Sequence, residues 1–442
     1  MHAVALLERI GRDGSIDRLF KLRPDTHHVS EYVGNISALP AYRLVQNVKS
    51  LYRQLSPEER DEQHTLEQLV CFLVIFECSD PRDIIYAVLG IASDVKPSYS
   101  ENHNDQTGND PTKFPVLYGN EEPLVVYMRF VERAIKRYRS LDILCRPWAP
   151  ALTGTKLPSW MLDATQKPFR PTSRGKMVRY NPDPFVGPAV KRKFYTASGE
   201  FTNSSAPNLP SVDFGNKEII VEAFKLARPT DIWDLAVHGS IPASWLRGVN
   251  WNDSTTPPPE EFWRTLVADR TSAGSGPEPD YSSIIQAAVL EKGVQYGINT
   301  NEFIHEKDNS AYYEVFRRVQ AVVWNRKLIR AGLCDTPRTT SEGRPSETPL
   351  GLVPAKAEKD DFICIVNGCS VPLVLRHRRK RRKGPAGADG PRKGLQGKDE
   401  QQNRLPAGDE DTYELIGECY INNMMEGRAM DRHVGWDVIK IA

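Results

Sequence analysis

Residue types that support catalysis are present in the sequence, but their spacing does not form an active-site pattern. The 442 residues contain no Gly-x-Ser-x-Gly turn, no Walker-type glycine loop and no Gly-x-Gly-x-x-Gly pattern after a predicted strand. The histidines are too dispersed to define a catalytic triad or a ligand set: His27, His28, His238, His305 and His433. Acidic pairs such as Asp360-Asp361 lie beside predicted strands, where carboxylates usually serve solvation and edge protection. The residues alone therefore predict no catalytic residue, no cofactor or cofactor-binding residue and no metal ligand.

The cysteine pattern favours reduced thiols. There are seven cysteines, an odd number, and most of them lie in apolar runs: Cys71, Cys78, Cys145, Cys334, Cys364, Cys369 and Cys419. Scattered cysteines of this kind suit an intracellular protein better than a disulfide framework. Their spacing also does not match a zinc site, because no second pair accompanies Cys364 and Cys369.

A basic block near residue 380 is the most unusual feature of the composition. Residues 376–404 contain 11 Lys or Arg and 3 Asp or Glu, although the whole chain has a net charge of only +1. The plain interpretation is a flexible insert, because Gly, Pro and Gln follow the block. One alternative is a nuclear import signal formed by Arg378, Arg379, Lys380, Arg381, Arg382 and Lys383. A nucleic-acid patch is less favoured, because the block lacks aromatic residues for base stacking.

The overall composition is that of a soluble globular protein. Hydrophobic residues make up 40% and charged residues 26% of the chain, both ordinary values. The longest apolar run, 69–76, is too short to cross a membrane, and 1–7 is too short for a secretory signal. We therefore expect an intracellular, cytoplasmic protein without a membrane partner, for which nuclear import through the basic block is an open alternative.

The stretch from Asp80 to Ala92 has the pattern of a capped helix. Asp80 is a suitable N-cap, and Pro81 suits the first helical position. Apolar side chains follow at helical spacing: Ile84, Ile85, Val88 and Leu89. A capped core helix explains this stretch without any catalytic role. Similar patterns on both sides predict helices over much of 41–145, with a packed bundle at 41–94, a loop at 95–119 and a strong helix after residue 120.

The remaining chain changes from irregular to strand-like patterns. Residues 146–217 predict an extended, linker-like segment with one short strand near 193–196. A β-branched strand at 218–224 precedes helices near 260–267, 281–292 and 309–325. Beyond residue 325 the two-residue period of strands dominates. Asn367-Gly368 between two apolar runs predicts a hairpin, and Pro372 predicts an edge strand or a bulge.

These patterns predict an α+β fold class, with an N-terminal helical bundle, a mixed middle region and a C-terminal small antiparallel β-sheet or open barrel. The predicted regions are an irregular N-terminal remnant at 1–40, a helical region at 41–145, a linker-like segment at 146–217, a strand plus helices at 218–324, and an antiparallel β region at 325–442 with a disordered basic insert at 376–404.

Six motifs resemble those of fungal heterokaryon-incompatibility (HET) proteins, in the same order. The first is similar to the family's DPRD-x-(I/V)-YA-x-LG signature, through Asp80, Pro81, Arg82, Asp83, Tyr86, Leu89 and Gly90. The second is LPSW, which contains Trp160, and the third is FWRTL…DR, which begins with Phe262, Trp263 and Arg264. The fourth and fifth are strand motifs at 350–354 and 361–376. The sixth is similar to the ending Y-x-L-(I/V)-GE-(C/A)-Y…M-x-G, through Gly417, Glu418 and Tyr420.

The resemblance also has a departure. The HET domain of the family precedes the DPRD signature and has tryptophan-containing motifs, whereas no tryptophan precedes Trp148 in this chain. We therefore expect the chain to correspond to the region downstream of the HET domain, with that death-inducing domain lost or outside the gene model.

The resemblance implies a non-enzymatic regulatory or interaction module related to vegetative incompatibility, non-self recognition and programmed cell death. It implies a protein partner, for which a full-length HET relative is the first candidate. The alternative is an enzyme, such as a nucleotide-related hydrolase, whose site is assembled from residues far apart in the sequence. An enzyme predicts a pocket with several convergent titratable groups, whereas an interaction module predicts an exposed apolar patch or an open edge strand.

Overall fold

The computed structural model describes residues 65–74, 78–99, 112–119, 121–173, 177–189, 193–199, 210–305, 310–334, 348–378, 412–432 and 435–442. The α-helices are α1 (Leu66–Leu73), α2 (Asp83–Tyr86), α3 (Pro123–Tyr138), α4 (Ala243–Gly248), α5 (Glu260–Leu266), α6 (Asp280–Lys292), α7 (Thr300–His305) and α8 (Ser310–Val323). Predictions for 1–64, and for the basic residues Arg379, Lys380, Arg381, Arg382 and Lys383, lie outside the described residues.

Strands occur along the whole described chain and assemble mainly into one mixed sheet. They are β1 (Lys96–Ser98), β2 (Lys113–Pro115), β3 (Phe169–Pro171), β4 (Met177–Arg179), β5 (Ser211–Asp213), β6 (Glu218–Leu235), β7 (Arg326–Leu333), β8 (Leu350–Pro354), β9 (Phe362–Val366), β10 (Leu373–Arg378), β11 (Thr412–Glu418), β12 (Tyr420–Ile421) and β13 (Asp437–Ile441). The nine-stranded sheet contains β5 to β13. The predicted α+β class is therefore confirmed.

Five strands of this sheet pair in a closed ring. Around the ring, β6 pairs with β9, β9 with β10, β10 with β11, β11 with β13, and β13 with β6. Four of these pairs are antiparallel, but β11 and β13 run parallel. The predicted C-terminal antiparallel sheet is therefore wrong for this one pair. Parallel strands cannot be joined by a tight hairpin, and β12 and the 3-10 turn Arg428–Arg432 lie between β11 and β13 in the chain.

The long strand β6 belongs to two parts of the sheet. Its first half pairs with β13 and β9 in the ring, and its second half pairs with β7, which leads on to β8 and β12. The sheet therefore crosses the boundary predicted between 324 and 325. The strand β6 has 18 residues, but only its first seven were predicted, because polar residues follow Phe224.

Side chains alternate between two apolar clusters across the ring. On β9, Cys364 and Val366 lie in the larger cluster, whereas Ile363 and Ile365 lie in the smaller one. The strand period of two residues explains this division.

The larger cluster also contains side chains of the helices, such as Leu66 of α1 and Phe130 of α3. On β13, Ile441 of this cluster is fully buried, whereas Val438 on the other face is 57% exposed. The strands of the ring therefore contribute to the two clusters through opposite faces.

The segment predicted as a linker is packed into the core. Trp148 lies edge-on to the rings of Tyr127 and Phe130 on α3, and Trp160 and Tyr195 are fully buried. The strand predicted near 193–196 is absent, and β3 and β4 form a separate hairpin. Large aromatic side chains hold this irregular segment in place, so the linker prediction was wrong.

Three smaller predictions also differ from the structure. The helix of the DPRD stretch has only the four residues of α2 and is continued by turns. The predicted loop at 95–119 contains β1 and β2, which pair in parallel. The β9–β10 hairpin exists, but its connection spans 367–372 instead of a two-residue turn. Pro372 lies just before β10. This strand is paired on both sides, so it is not an edge strand, but its register with β11 shifts between Val374 and Leu375, which agrees with the predicted alternative of a bulge.

Candidate functional site

The DPRD motif forms a compact turn around an ion pair. The Arg82 guanidinium contacts both carboxylate oxygens of Asp80, with Nη2 2.7 Å from Oδ2. Asp80 Oδ1 also accepts the backbone N–H of Arg82 at 2.9 Å. Arg82 Nη1 donates to the carbonyls of Tyr118 and Glu121. Its side chain is only 15% exposed, so Arg82 ties the turn to the segment before α3 and does not point into an open cleft.

The other residues of this motif are also bound to their surroundings. The Asp83 carboxylate accepts the Tyr118 hydroxyl, and the Pro81 carbonyl accepts the Tyr127 hydroxyl of α3 at 3.0 Å. Tyr86 packs edge-on against Tyr118 and accepts the backbone N–H of residue 117. Leu89 is buried, whereas Gly90 is exposed and has open space around it. Arg82 and Asp83 therefore hold the turn, and Gly90 makes no packing contact.

The LPSW motif binds the last two strands of the barrel. Ser159 Oγ accepts the backbone N–H of Leu415 on β11 at 2.9 Å and donates to the carbonyl of Ala442. The Trp160 indole N–H donates to the carbonyl of Lys217 at 3.0 Å. These bonds join residues that are 256 and 283 positions apart in the chain. The second motif therefore contacts the sixth.

The FWRTL motif lies on α5, which binds the start of β8. Phe262 and Trp263 are buried, while the Arg264 guanidinium lies over the Trp263 ring and pairs with Asp269 at 2.6 Å. Glu261, the residue before the motif, accepts the backbone N–H of Leu350 at 2.7 Å. The helix that carries the third motif thereby anchors the start of β8.

Two further ion pairs complete the contacts between motifs. Arg270, the last residue of the third motif, pairs with Glu426 in the terminal motif. Within the fifth motif, Asp361 is almost fully buried and pairs with Arg376, with Nε 2.8 Å from Oδ1. The second pair links the residue just before β9 to β10.

Glu418 lies at the centre of the terminal motif. Its carboxylate accepts the Arg326 guanidinium at 2.8 Å and the backbone N–H groups of Phe185 and Val186. Arg326 also stacks on the Phe185 ring, 3.6 Å from its centroid. Burial raises the pKa of Glu418 to about 7 and lowers that of Arg326 to about 10, because desolvation disfavours both charged forms.

Gly417 and Tyr420 shape the chain on either side of Glu418. Gly417 has a φ of +145°, which side chains other than glycine rarely adopt, and an added Cβ would lie 2.9 Å from Pro354 Cγ. This glycine allows the chain to pass from β11 to β12. Tyr420 is buried, and its hydroxyl donates to Asn422 at 3.2 Å.

The contacts above define what we call the motif framework: the set of bonds that join the six motifs to each other and to the barrel. The sequence identified these residues as members of the six motifs but could not show that they contact one another. The charged motif residues have partners within this framework or close to it, and their distances are those of structural ion pairs and hydrogen bonds.

A pocket at one end of the barrel is a second candidate site, which the sequence did not predict. It has a volume of about 300 Å³ and lies where β10 ends and β11 begins. Its lining comes from β6, β9, β11 and β13: Ala223, Phe224, Lys225, Cys364, Tyr413, Asp437, Val438 and Ile439. Four strands from distant parts of the sequence meet here only because the ring is closed, so no local pattern could have revealed the pocket.

The pocket combines aromatic walls with two charged groups at its rim. The Lys225 ammonium lies 4.5 Å from the centroid of Phe362 and 5.9 Å from that of Tyr413. Lys225 and Asp437 are exposed. Burial raises the pKa of Cys364 to about 12, so this thiol is not a nucleophile at neutral pH. The pocket can hold a small ligand with an anionic group near Lys225, but its described residues do not form a nucleophile with an adjacent base.

The basic block begins at the same end of the barrel. Arg378 is the last residue of β10 and pairs with Glu414 on β11, with Nη2 2.8 Å from the carboxylate. The other five residues of the predicted import signal lie outside the described residues.

Three general findings bear on function. No protein-family model, curated protein or solved structure matches the chain. Within the described ranges, no group of three or more His, Cys, Asp or Glu residues is placed to hold a metal ion. In the same part of the chain, no helix has the length and apolar character needed to cross a membrane.

Proposed function

We propose that the chain is a non-enzymatic interaction module of the HET type, related to fungal vegetative incompatibility and cell death. In this proposal the module binds a protein partner, for which a full-length HET relative is the first candidate, and influences the partner's activity. The proposal includes the helical bundle predicted for 41–94, of which 65–74 and 78–94 are described. It places the module in the cytoplasm, and import into the nucleus through residues 378–383 is a testable addition.

The motif framework is the observation that carries this proposal. Motifs that resemble the family in sequence contact one another across hundreds of residues, as Ser159 does with Leu415 and Ala442. The charged motif residues are also engaged in structural contacts, as Arg82 is with Asp80 and Glu418 with Arg326. This supports a scaffold role for the motifs in preference to a catalytic one.

Co-purification with a full-length HET relative tests the proposal. The tagged chain should retain the relative, and Glu418→Ala should lose it, because that change removes the acceptor at the centre of the framework. The matched control is Glu414→Ala on the same strand, where the carboxylate pairs with Arg378 at the surface. Equal retention by both variants and the wild type would show that binding does not depend on the framework. No retention by any of them would contradict the proposed partner.

The alternative function is a nucleotide-related hydrolase, and the barrel-end pocket is the place to test it. Lys225, Asp437 and Tyr413 are among the residues that line this pocket. The test is incubation of the purified chain with a nicotinamide dinucleotide, followed by measurement of released nicotinamide. We expect no release above the level of a Lys225→Ala, Asp437→Asn double variant. Release that this double variant abolishes would establish the enzyme and overturn the first proposal.

A further inference from the structure

Two buried cysteines meet where the helical part of the chain contacts the barrel. Cys145 lies at the end of the 3-10 turn Asp142–Cys145, which follows α3, and Cys369 lies in the loop between β9 and β10. Their Sγ atoms are 4.0 Å apart, although the residues are 224 positions apart in the chain. Both side chains are buried. Both thiols are free in this structure.

Hydrogen bonds beside the sulfur atoms hold the two segments together. The backbone N–H of Leu141 donates to the carbonyl of Gly368 at 2.9 Å. The backbone N–H of Ser370 donates to the Asp142 carboxylate at 2.7 Å. The residues on both sides of Cys369 are therefore tied to the start of the turn that ends at Cys145. A disulfide bond requires the sulfur atoms to approach from 4.0 Å to about 2 Å.

We propose that Cys145 and Cys369 form a reversible disulfide bond, which locks the 3-10 turn after α3 onto the β9–β10 loop of the barrel. Cys419, another buried cysteine near Cys369, has a different partner, because its Sγ donates to the carbonyl of Pro372 at 3.4 Å. The site is independent of the proposed partner, and it does not use any residue of the barrel-end pocket.

A peroxide is the oxidant class that we assign to the step. One thiolate attacks a peroxide oxygen, the O–O bond breaks, and water leaves, so that a sulfenic acid forms. The second sulfur attacks the sulfenic sulfur, the S–O bond breaks, and a second water leaves after protonation. The two thiols are oxidised to one disulfide and the peroxide is reduced to two waters. A dithiol such as dithiothreitol reverses the step by thiol–disulfide exchange.

The surroundings determine when this reaction occurs. Both thiols are buried, so a peroxide cannot reach either sulfur while the junction is closed. The hydrogen bond with Cys369 and burial also raise the pKa of Cys145, which disfavours its thiolate, the reactive form. Oxidation therefore requires the junction between the turn and the loop to open. A disulfide found in the chain would then show that the junction had opened, since the bond persists after the junction closes.

Peptide mapping of the wild-type chain after peroxide treatment tests the proposal. Free thiols are alkylated under denaturing conditions, and the unreduced digest is analysed by mass spectrometry. We expect a linked peptide pair that contains Cys145 and Cys369, which dithiothreitol separates, and a higher melting temperature of the oxidised chain. The half-buried Cys78 reports that the oxidant has reached the protein.

The proposal is overturned if Cys145 and Cys369 are both recovered as alkylated thiols after Cys78 has been oxidised, or if Cys369 is linked to Cys419. Two variants sharpen the result: Cys145→Ala should lose the linked pair and the change in melting temperature, and Cys419→Ala should keep both. The mapping uses the unmodified chain, so the result does not depend on whether a variant folds.

Discussion

Replacement of Glu418 by alanine should destabilise the fold more than any surface change on the same strand. The substitution leaves the Arg326 guanidinium, whose side chain is 4% exposed, without its counter-charge. It also leaves the backbone N–H groups of Phe185 and Val186 without their carboxylate acceptor. Removal of one partner from a buried ion pair costs about 3–5 kcal/mol. That loss is a large part of the 5–15 kcal/mol that stabilises a typical domain, given as a rough range.

The matched comparison is Glu414→Ala, since both glutamates lie on β11 and both pair with an arginine. The Glu414 pair with Arg378 is exposed, with the two side chains 28% and 46% accessible, and such pairs contribute at most about 1 kcal/mol. Urea denaturation at pH 8, where a Glu418 carboxyl with a pKa of about 7 is largely ionised, measures both variants through tryptophan fluorescence. The reasoning is refuted if the two free energies of unfolding differ by less than about 1 kcal/mol while the urea dependence is unchanged.

Three further predictions follow from the framework. Burial raises the pKa of Glu418 from 4.5 to about 7, so the folded state binds this proton more tightly than the unfolded chain does. The free energy of unfolding should therefore fall by on the order of 3 kcal/mol as pH rises from 4.5 to 7. Urea titrations of Glu418→Gln should not show this fall. Gly417→Ala should cost about 1–3 kcal/mol in the same assay, because its φ is positive and its Cβ would meet Pro354, whereas Gly90→Ala should cost little. Ser159→Ala should lose about 1–2 kcal/mol and speed amide exchange on the last strand.

Each of these has a result that would count against it. A constant stability difference between the wild type and Glu418→Gln from pH 5 to 8 would show that the carboxyl titrates normally. Equal stability of the Gly417 and Gly90 variants would mean that the β11–β12 passage tolerates a side chain. Unchanged exchange on β13 in Ser159→Ala would show that the serine does not hold that strand.

Local patterns predicted the regular elements well. The amphipathic pattern of α3 gave a helix that the structure places at Pro123–Tyr138, and helices α5, α6 and α8 lie within a few residues of their predicted bounds. Strands β9 and β11 were also found from their two-residue period. These elements owe their form to side chains near them in sequence, so that a single sequence contains the necessary information.

Long-range arrangement could not be predicted in the same way. The ring closes through the parallel pair β11–β13 and through β6, whose partners in the ring, β9 and β13, come from residues more than 100 positions away. The linker prediction failed because Trp160 and Tyr195 find partners far along the chain. The contacts of Glu418 were hidden for the same reason: a glutamate in a strand motif gives no sign that a buried arginine lies opposite.

The most direct test of the central claim is a cell-death assay in a fungal host. The chain is expressed alone, and in parallel with a full-length HET relative, and viability is scored at matched protein levels. We expect no death from the chain alone and a change in the death caused by the relative, which Glu418→Ala should abolish and Glu414→Ala should retain. Death caused by the chain on its own would contradict a module that acts only through a partner.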